Sequence, residues 1–167
     1  MRISHYVLLQ FLPLSSLALL EEAFVEFTSS NGSLNIVNAP ILYSSDDFVG
    51  VRIAADSLAS DFEEITGTKH ESRNVSLTNA TRAGLFSPPT FKSAIIAGSV
   101  NSSLIHCLAA NGSLDISDIQ GKWETFKTAV VLNPLPGIEK ALVIAGSDKR
   151  ATIFGIHTLA EQCGQSP

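Results

Sequence analysis

Asp61 and Glu64 stand three residues apart, a spacing that places two carboxylates on one helix face, where they could divide acid and base duty. That chemistry needs a pocket that shifts their proton affinities. Flanked by Asp56, Ser60 and Glu63, they read instead as a solvated face. His106, Cys107, His157 and Cys163 are zinc-ligand types, but 106 and 107 diverge on a helix and 157 and 163 lie about 240° apart. No metal is expected. Two triplets, Ala97-Gly98-Ser99 and Ala145-Gly146-Ser147, each follow an apolar run and precede a helical pattern, the arrangement that directs backbone amides at phosphates. Neither has the three-glycine spacing or the Gly-Lys-Ser/Thr ending of nucleotide loops, so no cofactor is expected, and Ser147 or Asp148 should cap the second helix. Lys149 and Arg150 then add two cations at the positive end of a helix dipole, which costs about 0.3–1 kcal/mol each. Either Asp148 offsets them locally, or they face an anionic ligand or the acidic surface of another domain. Asp148, Lys149 and Arg150 are therefore the candidate contacts with a substrate or at a domain junction, and no catalytic residue is assigned.

The elements that must position these residues alternate between strand and helix. Ser33–Val37 alternates like a strand, Ala39-Pro40 breaks it, and Ile41-Leu42-Tyr43 forms a second short one. A helix should start at Ser45 or Asp46. Phe48, Val51, Ala55, Leu58, Phe62 and Ile65 form its apolar stripe, and Gly67 ends it. Arg73–Leu77 reads as a strand, and Phe86-Ser87-Pro88-Pro89 as a loop. Ser93–Ser99 is a strand leading to a helix over Ser102–Ala110. Lys122–Phe126 and Thr128–Leu132 read as strands, Pro134 and Pro136 frame a turn, and Leu142–Ser147 leads to a helix over Lys149–Cys163. This order predicts an α/β (or α+β) sandwich, a small mixed sheet with helices packed on it.

Composition narrows the class further. With 11 Lys plus Arg against 16 Asp plus Glu, the net charge of −5 repels phosphate backbones and anionic lipid, so neither nucleic acid nor a membrane is an expected partner. Residues 1–18 read as a secretory signal: Arg2, an apolar stretch from Tyr6 to Leu14, then Ser16-Leu17-Ala18. Residues 19–32 form an N-terminal extension, and 33–167 a single domain. Acceptor triplets at Asn31, Asn74, Asn79, Asn101 and Asn111 predict glycosylation in the same extracellular compartment. Cys107 and Cys163 are too few for a disulfide framework. In an oxidising compartment they can pair with each other, but both fall on apolar helix faces, where a free thiol behaves as a small hydrophobe.

Three stretches carry a resemblance. GKWETFKTAVVL with the downstream AGSDKRATIFGI, the earlier ILYSSDDFVGVRIAADSLASDFEEITG, and AIIAGS together resemble the N-terminal domain of glycoside hydrolase family 115, the xylan α-1,2-glucuronidases, most closely the fungal members. Ala151 stands where the family typically has Gly, and a Tyr is frequent in the family near Phe154. The resemblance implies a parent enzyme that removes 4-O-methyl-glucuronic acid from xylan, with its catalytic carboxylates on a barrel that follows this domain. It implies a non-catalytic leading domain or fragment whose partners are that barrel and glucuronoxylan. The alternative is a stand-alone secreted carbohydrate-binding or structural module.

Overall fold

The structure, a computed structural model, describes residue 25 and residues 33–77 and 91–164. The signal over 1–18, most of the 19–32 extension, Asn31, Asn79 and the 86–89 loop lie outside the described residues.

Among the described residues five strands and three helices follow one another: β1 (Ile41–Ser44), α1 (Val49–Thr66), β2 (Ser72–Val75), β3 (Phe91–Ser99), α2 (Ser103–Ala110), β4 (Phe126–Leu132), β5 (Ile138–Gly146) and α3 (Lys149–Gly164). The strands form one sheet in the order β2-β1-β3-β5-β4, in which β4 alone runs antiparallel to its neighbour. This is the expected mixed-sheet α/β sandwich. Crossovers between parallel strands are right-handed, so a connection leaving β1 toward β2 and one leaving β3 toward β5 must pass over opposite faces. They do so. α1 packs with α3 on one face, over Ile41, Tyr43, Ile95, Ala97, Leu142 and Ile144. The other face, with Leu42, Ala94, Ile96, Ala141, Val143 and Ala145, is covered by α2 and by Leu114, Ile119 and Leu135. Strand segments buried on both faces need apolar residues at nearly every position, which is why β3 from Ala94 to Gly98 and β5 from Ala141 to Gly146 read as continuous apolar runs.

α1 buries Val51, Ala54, Ala55, Leu58, Ala59 and Phe62. Full burial of each larger side chain is worth about 1.5–3 kcal/mol relative to exposure. Phe48 and Ile65, the two ends of the predicted stripe, are exposed instead. The helix starts at Val49 and not at Ser45 or Asp46; Phe48 holds the cap position without a side-chain hydrogen bond. Gly67 ends it as expected, at φ 67, donating its N–H to the Glu63 carbonyl.

Two expected strands are absent. Ser33–Val37 is an irregular segment, with the Val37 N–H donated to Asn35 Oδ1 and Asn38 at φ 64. β2 and β3 already occupy both sides of β1, so this segment has no edge of β1 to join; Leu34 and Ile36 reach the core from a loop. Lys122–Thr125 is also a turn, entered through Gly121 at φ 75 and passing Glu124 at φ 47; the strand begins at Phe126. Both cysteines are free thiols. Cys107 rides on α2 and Cys163 is buried under α3 on the opposite face, so the sheet separates them and the pairing that an oxidising compartment would allow does not form. Burial pushes the Cys163 thiol up to about 11, which leaves it an inert apolar group.

Candidate functional site

The two Ala-Gly-Ser triplets lie at the ends of adjacent parallel strands, Ser99 beside Gly146. At the first, the chain leaves β3 and enters α2 through Ser102, whose hydroxyl accepts the Ile105 N–H. Gly98 fits closely there: a Cβ would lie 2.8 Å from Ser102 Oγ and 2.9 Å from Ile105 Cγ1, and those side chains would have to shift to admit it. This crevice, where the connections from β1 and β3 part in opposite directions, is where open α/β sheets bind ligands. Here two carboxylates of the chain itself fill it. Asp47 accepts the Ser99 N–H at 2.7 Å and the Ser99 hydroxyl at 2.9 Å. Asp46 accepts the Ser103 N–H at 3.2 Å and is also bound by the Ser44 hydroxyl, which holds its carboxyl below the usual carboxylate range. The amides an incoming anion would use are already engaged by negative charge.

The second turn, from β5 into α3, is tighter. A Cβ on Gly146 would fall 2.3 Å from the Thr152 backbone nitrogen. Asp148 caps α3 as predicted, accepting the Ala151 N–H at 2.9 Å through Oδ1 and the Glu124 N–H at 2.9 Å through Oδ2. Those amides, the Ala151 bond foremost, hold its carboxyl below the ordinary range. Ser147 does not cap the helix; its hydroxyl accepts the Thr125 N–H at 3.0 Å. The two cations are offset in part within the chain, since Arg150 Nη1 lies 2.8 Å from Glu124 Oε1. That ion pair is mostly solvent-exposed on the arginine side, at 72%.

Around Arg150 lies an open depression lined by Glu124, Ala151, Ile153, Phe154 and His157. Phe154 is 60% exposed and meets Phe126 edge to face at 5.8 Å, while Trp123, next to Glu124, is 79% exposed. Of the candidate contacts, Asp148 is consumed as a cap, Arg150 lines the depression, and Lys149 lies against Gly50 of α1 through its aliphatic stem. Glu124, Phe154 and His157 join the site without a signal in the sequence, because a turn and a helix separated by β4 and β5 supply them. Asp47 was equally hidden, and Asp46 stood out only as a helix-start residue. Among the described residues Glu124 is the one carboxylate lining this depression, and Arg150 holds it. Asp61 and Glu64 stay on the outer side of α1. Among the described residues no three His, Cys, Asp or Glu side chains gather as a metal site, and no helix is long and apolar enough to cross a membrane. Of the acceptor asparagines described, Asn74, Asn101 and Asn111 are exposed.

No protein-family model matches the chain, and no curated protein matches it. Among solved structures it is similar to a family GH115 4-O-methyl-α-glucuronidase with specificity for decorated arabinogalactans, at 26% sequence identity and a TM-score of 0.50. The match covers 77% of this chain but 14% of that enzyme, so the chain is similar to a small part of a much longer glycoside hydrolase.

Proposed function

We propose that this chain is the leading, non-catalytic α/β domain of a secreted glycoside hydrolase that removes 4-O-methyl-glucuronic acid from plant cell-wall polysaccharide, xylan in the first place. The observation that carries the reading is the disparity of the structural match, most of this chain against a small share of an α-glucuronidase. Glycoside hydrolysis uses two carboxyl groups set across the scissile bond. The carboxylates described at the two turns are engaged as clip, cap and ion pair. In this reading the catalytic pair belongs to a barrel elsewhere in the parent enzyme.

The outer side of the α1 and α3 layer suits such a partner. Phe48, Val49 and Ile53 are exposed on α1, Ile153 and Phe154 on α3 flank Arg150, and Gly50 brings the two helices together against Ile153. An apolar surface with a cation at its margin is what a domain junction needs. In this reading Lys149 and Arg150 face the junction, the first 18 residues are removed on export, and Asn74, Asn101 and Asn111 carry glycans.

Sequencing the transcript beyond codon 167 tests the proposal directly. A continuation encoding a barrel is expected, and the 167-residue chain alone should release no 4-O-methyl-glucuronate from glucuronoxylan or arabinogalactan. A stop codon immediately after Pro167, or release of the uronate by this chain, overturns it.

A further inference from the structure

The two edges of the sheet are built differently. β2 is four residues long and polar, Arg73 on it is paired with Glu71, and Asn74 beside it is an exposed acceptor triplet. Short, charged edges resist pairing with another chain. β4 has none of those protections. It runs seven residues, Phe-Lys-Thr-Ala-Val-Val-Leu, without proline or glycine, and Val130 and Leu132 are 54% and 63% exposed. Its single charge, Lys127, is turned to Asp118 at 3.0 Å and to the Asp115 carbonyl.

The hydrogen-bond register says which backbone groups are free. Ser147 donates its N–H to the Thr125 carbonyl and Asn133 donates to the Glu139 carbonyl, at the two ends of the β4–β5 ladder. In an antiparallel pair the bonded residues alternate, so Thr125, Lys127, Ala129, Val131 and Asn133 point their backbone groups at β5. Phe126, Thr128, Val130 and Leu132 point theirs outward, and no described residue bonds to them.

We infer that β4 is a self-pairing edge, on which the β4 of a second copy of this chain lies antiparallel about a two-fold axis at Ala129. Centred there, Phe126 faces Leu132 of the second copy and Thr128 faces its Val130, each pair occurring twice by symmetry. All are residues whose amides and carbonyls point outward, so every one of these pairs exchanges both hydrogen bonds. The register is self-consistent in a second respect. Lys127 falls opposite Val131 of the other copy, so no like charges meet, whereas a slip that paired Lys127 with itself would oppose two cations. The exposed Val130 and Leu132 are covered by Thr128 and Phe126 of the second copy, and the two five-stranded sheets become one. This edge lies beside α3 and is separate from the apolar face of α1, so it stands whether or not a barrel follows.

Sedimentation of the full 167-residue chain over a concentration series tests it, with mass expected to rise toward twice that of the monomer. Val130→Pro removes an outward N–H and no β5 bond; it should abolish the rise while leaving the circular dichroism spectrum unchanged. In a Cys107→Ser background, Ala129→Cys should give a disulfide-linked dimer on mild oxidation, because residues opposite each other at a non-bonded pair have Cα atoms about 4.5 Å apart, within disulfide reach. Leu132→Cys is more exposed and should cross-link many-fold more slowly. A chain that stays monomeric at every concentration, including one whose outward β4 amides are protected from exchange by its own N-terminal segment, overturns the inference. So does a dimer that survives Val130→Pro in a folded protein, or Leu132→Cys cross-linking as fast as Ala129→Cys.

Discussion

The turn from β3 into α2 and the turn from β5 into α3 start from the same triplet, Ala-Gly-Ser, at the ends of neighbouring parallel strands. They have opposite fates. At the first, carboxylates from the β1–α1 connection, Asp46 and Asp47, reach across the sheet and consume the free amides and hydroxyls of Ser99 and Ser103. At the second, the cap is local, Asp148, and the residues that follow it leave Arg150 and an aromatic side chain facing solvent. A strand–glycine–helix turn is thus not a ligand site by virtue of its shape. What decides is whether the chain brings its own charge to it. The first turn became an internal clip that ties β1 to β3, and the second a surface that carries charge outward.

Substitutions at the two glycines separate the turns most strongly. Gly146→Ala drives a methyl group into the Thr152 backbone at 2.3 Å, where nothing flexible can yield, and should cost about 3 kcal/mol or more. Gly98→Ala meets the side chains of Ser102 and Ile105, which can shift, and should cost about 1–3 kcal/mol. Urea denaturation midpoints measure both, and an equal or reversed cost breaks the ranking of the two turns.

The clip and the cap can be compared next. Asp47→Ala strands the buried Ser99 N–H and hydroxyl and should lose about 1–3 kcal/mol. Asp148→Ala removes one helix cap, about 0.5–2 kcal/mol, and Arg150→Ala removes an exposed ion pair worth about 0–1 kcal/mol. If Arg150→Ala proves the most damaging of the three by the same denaturation assay, the second turn is a structural clip as well.

Acid gives the smallest effect. Asp46 and Asp148 are both held below the ordinary carboxylate range by hydrogen bonds, Asp46 chiefly by the Ser44 hydroxyl and Asp148 chiefly by the Ala151 amide. A carboxylate with a depressed folded-state pKa stabilises the fold above its unfolded value of about 3.9 and loses that contribution as pH falls through the folded value. Denaturation midpoints should therefore drop on acidification through that range. Asp46→Asn and Asp148→Asn should each flatten the drop, and an unchanged slope in either variant would remove that carboxylate from the account.

Much of the fold was legible because burial on both faces of a parallel sheet leaves a dense apolar record. Ala94–Gly98 of β3 and Ala141–Gly146 of β5 are continuous apolar runs, and α1 announces itself by helical periodicity and a terminal glycine. The errors came where a local pattern lacked a partner. Ser33–Val37 alternates as a strand does, yet both sides of β1 were already taken. Ser45 and Asp46 look like helix caps by type and position, but the stronger acceptors' task lay 57 residues away at Ser103. Glu124 sits in a turn expected to be a strand, and only there does its carboxylate meet Arg150.

Residue order alone determined the alternation of strand and helix and a cap at Ser147 or Asp148, because each follows from steric and hydrogen-bonding demands within a few neighbouring residues. Tertiary structure decided which turn is sealed by Asp46 and Asp47, which cations remain in solvent, and which strand is left with an open edge. Those outcomes depend on strand order, and strand order is settled by where right-handed crossovers and apolar faces can all be accommodated at once, a condition no short window of the chain contains.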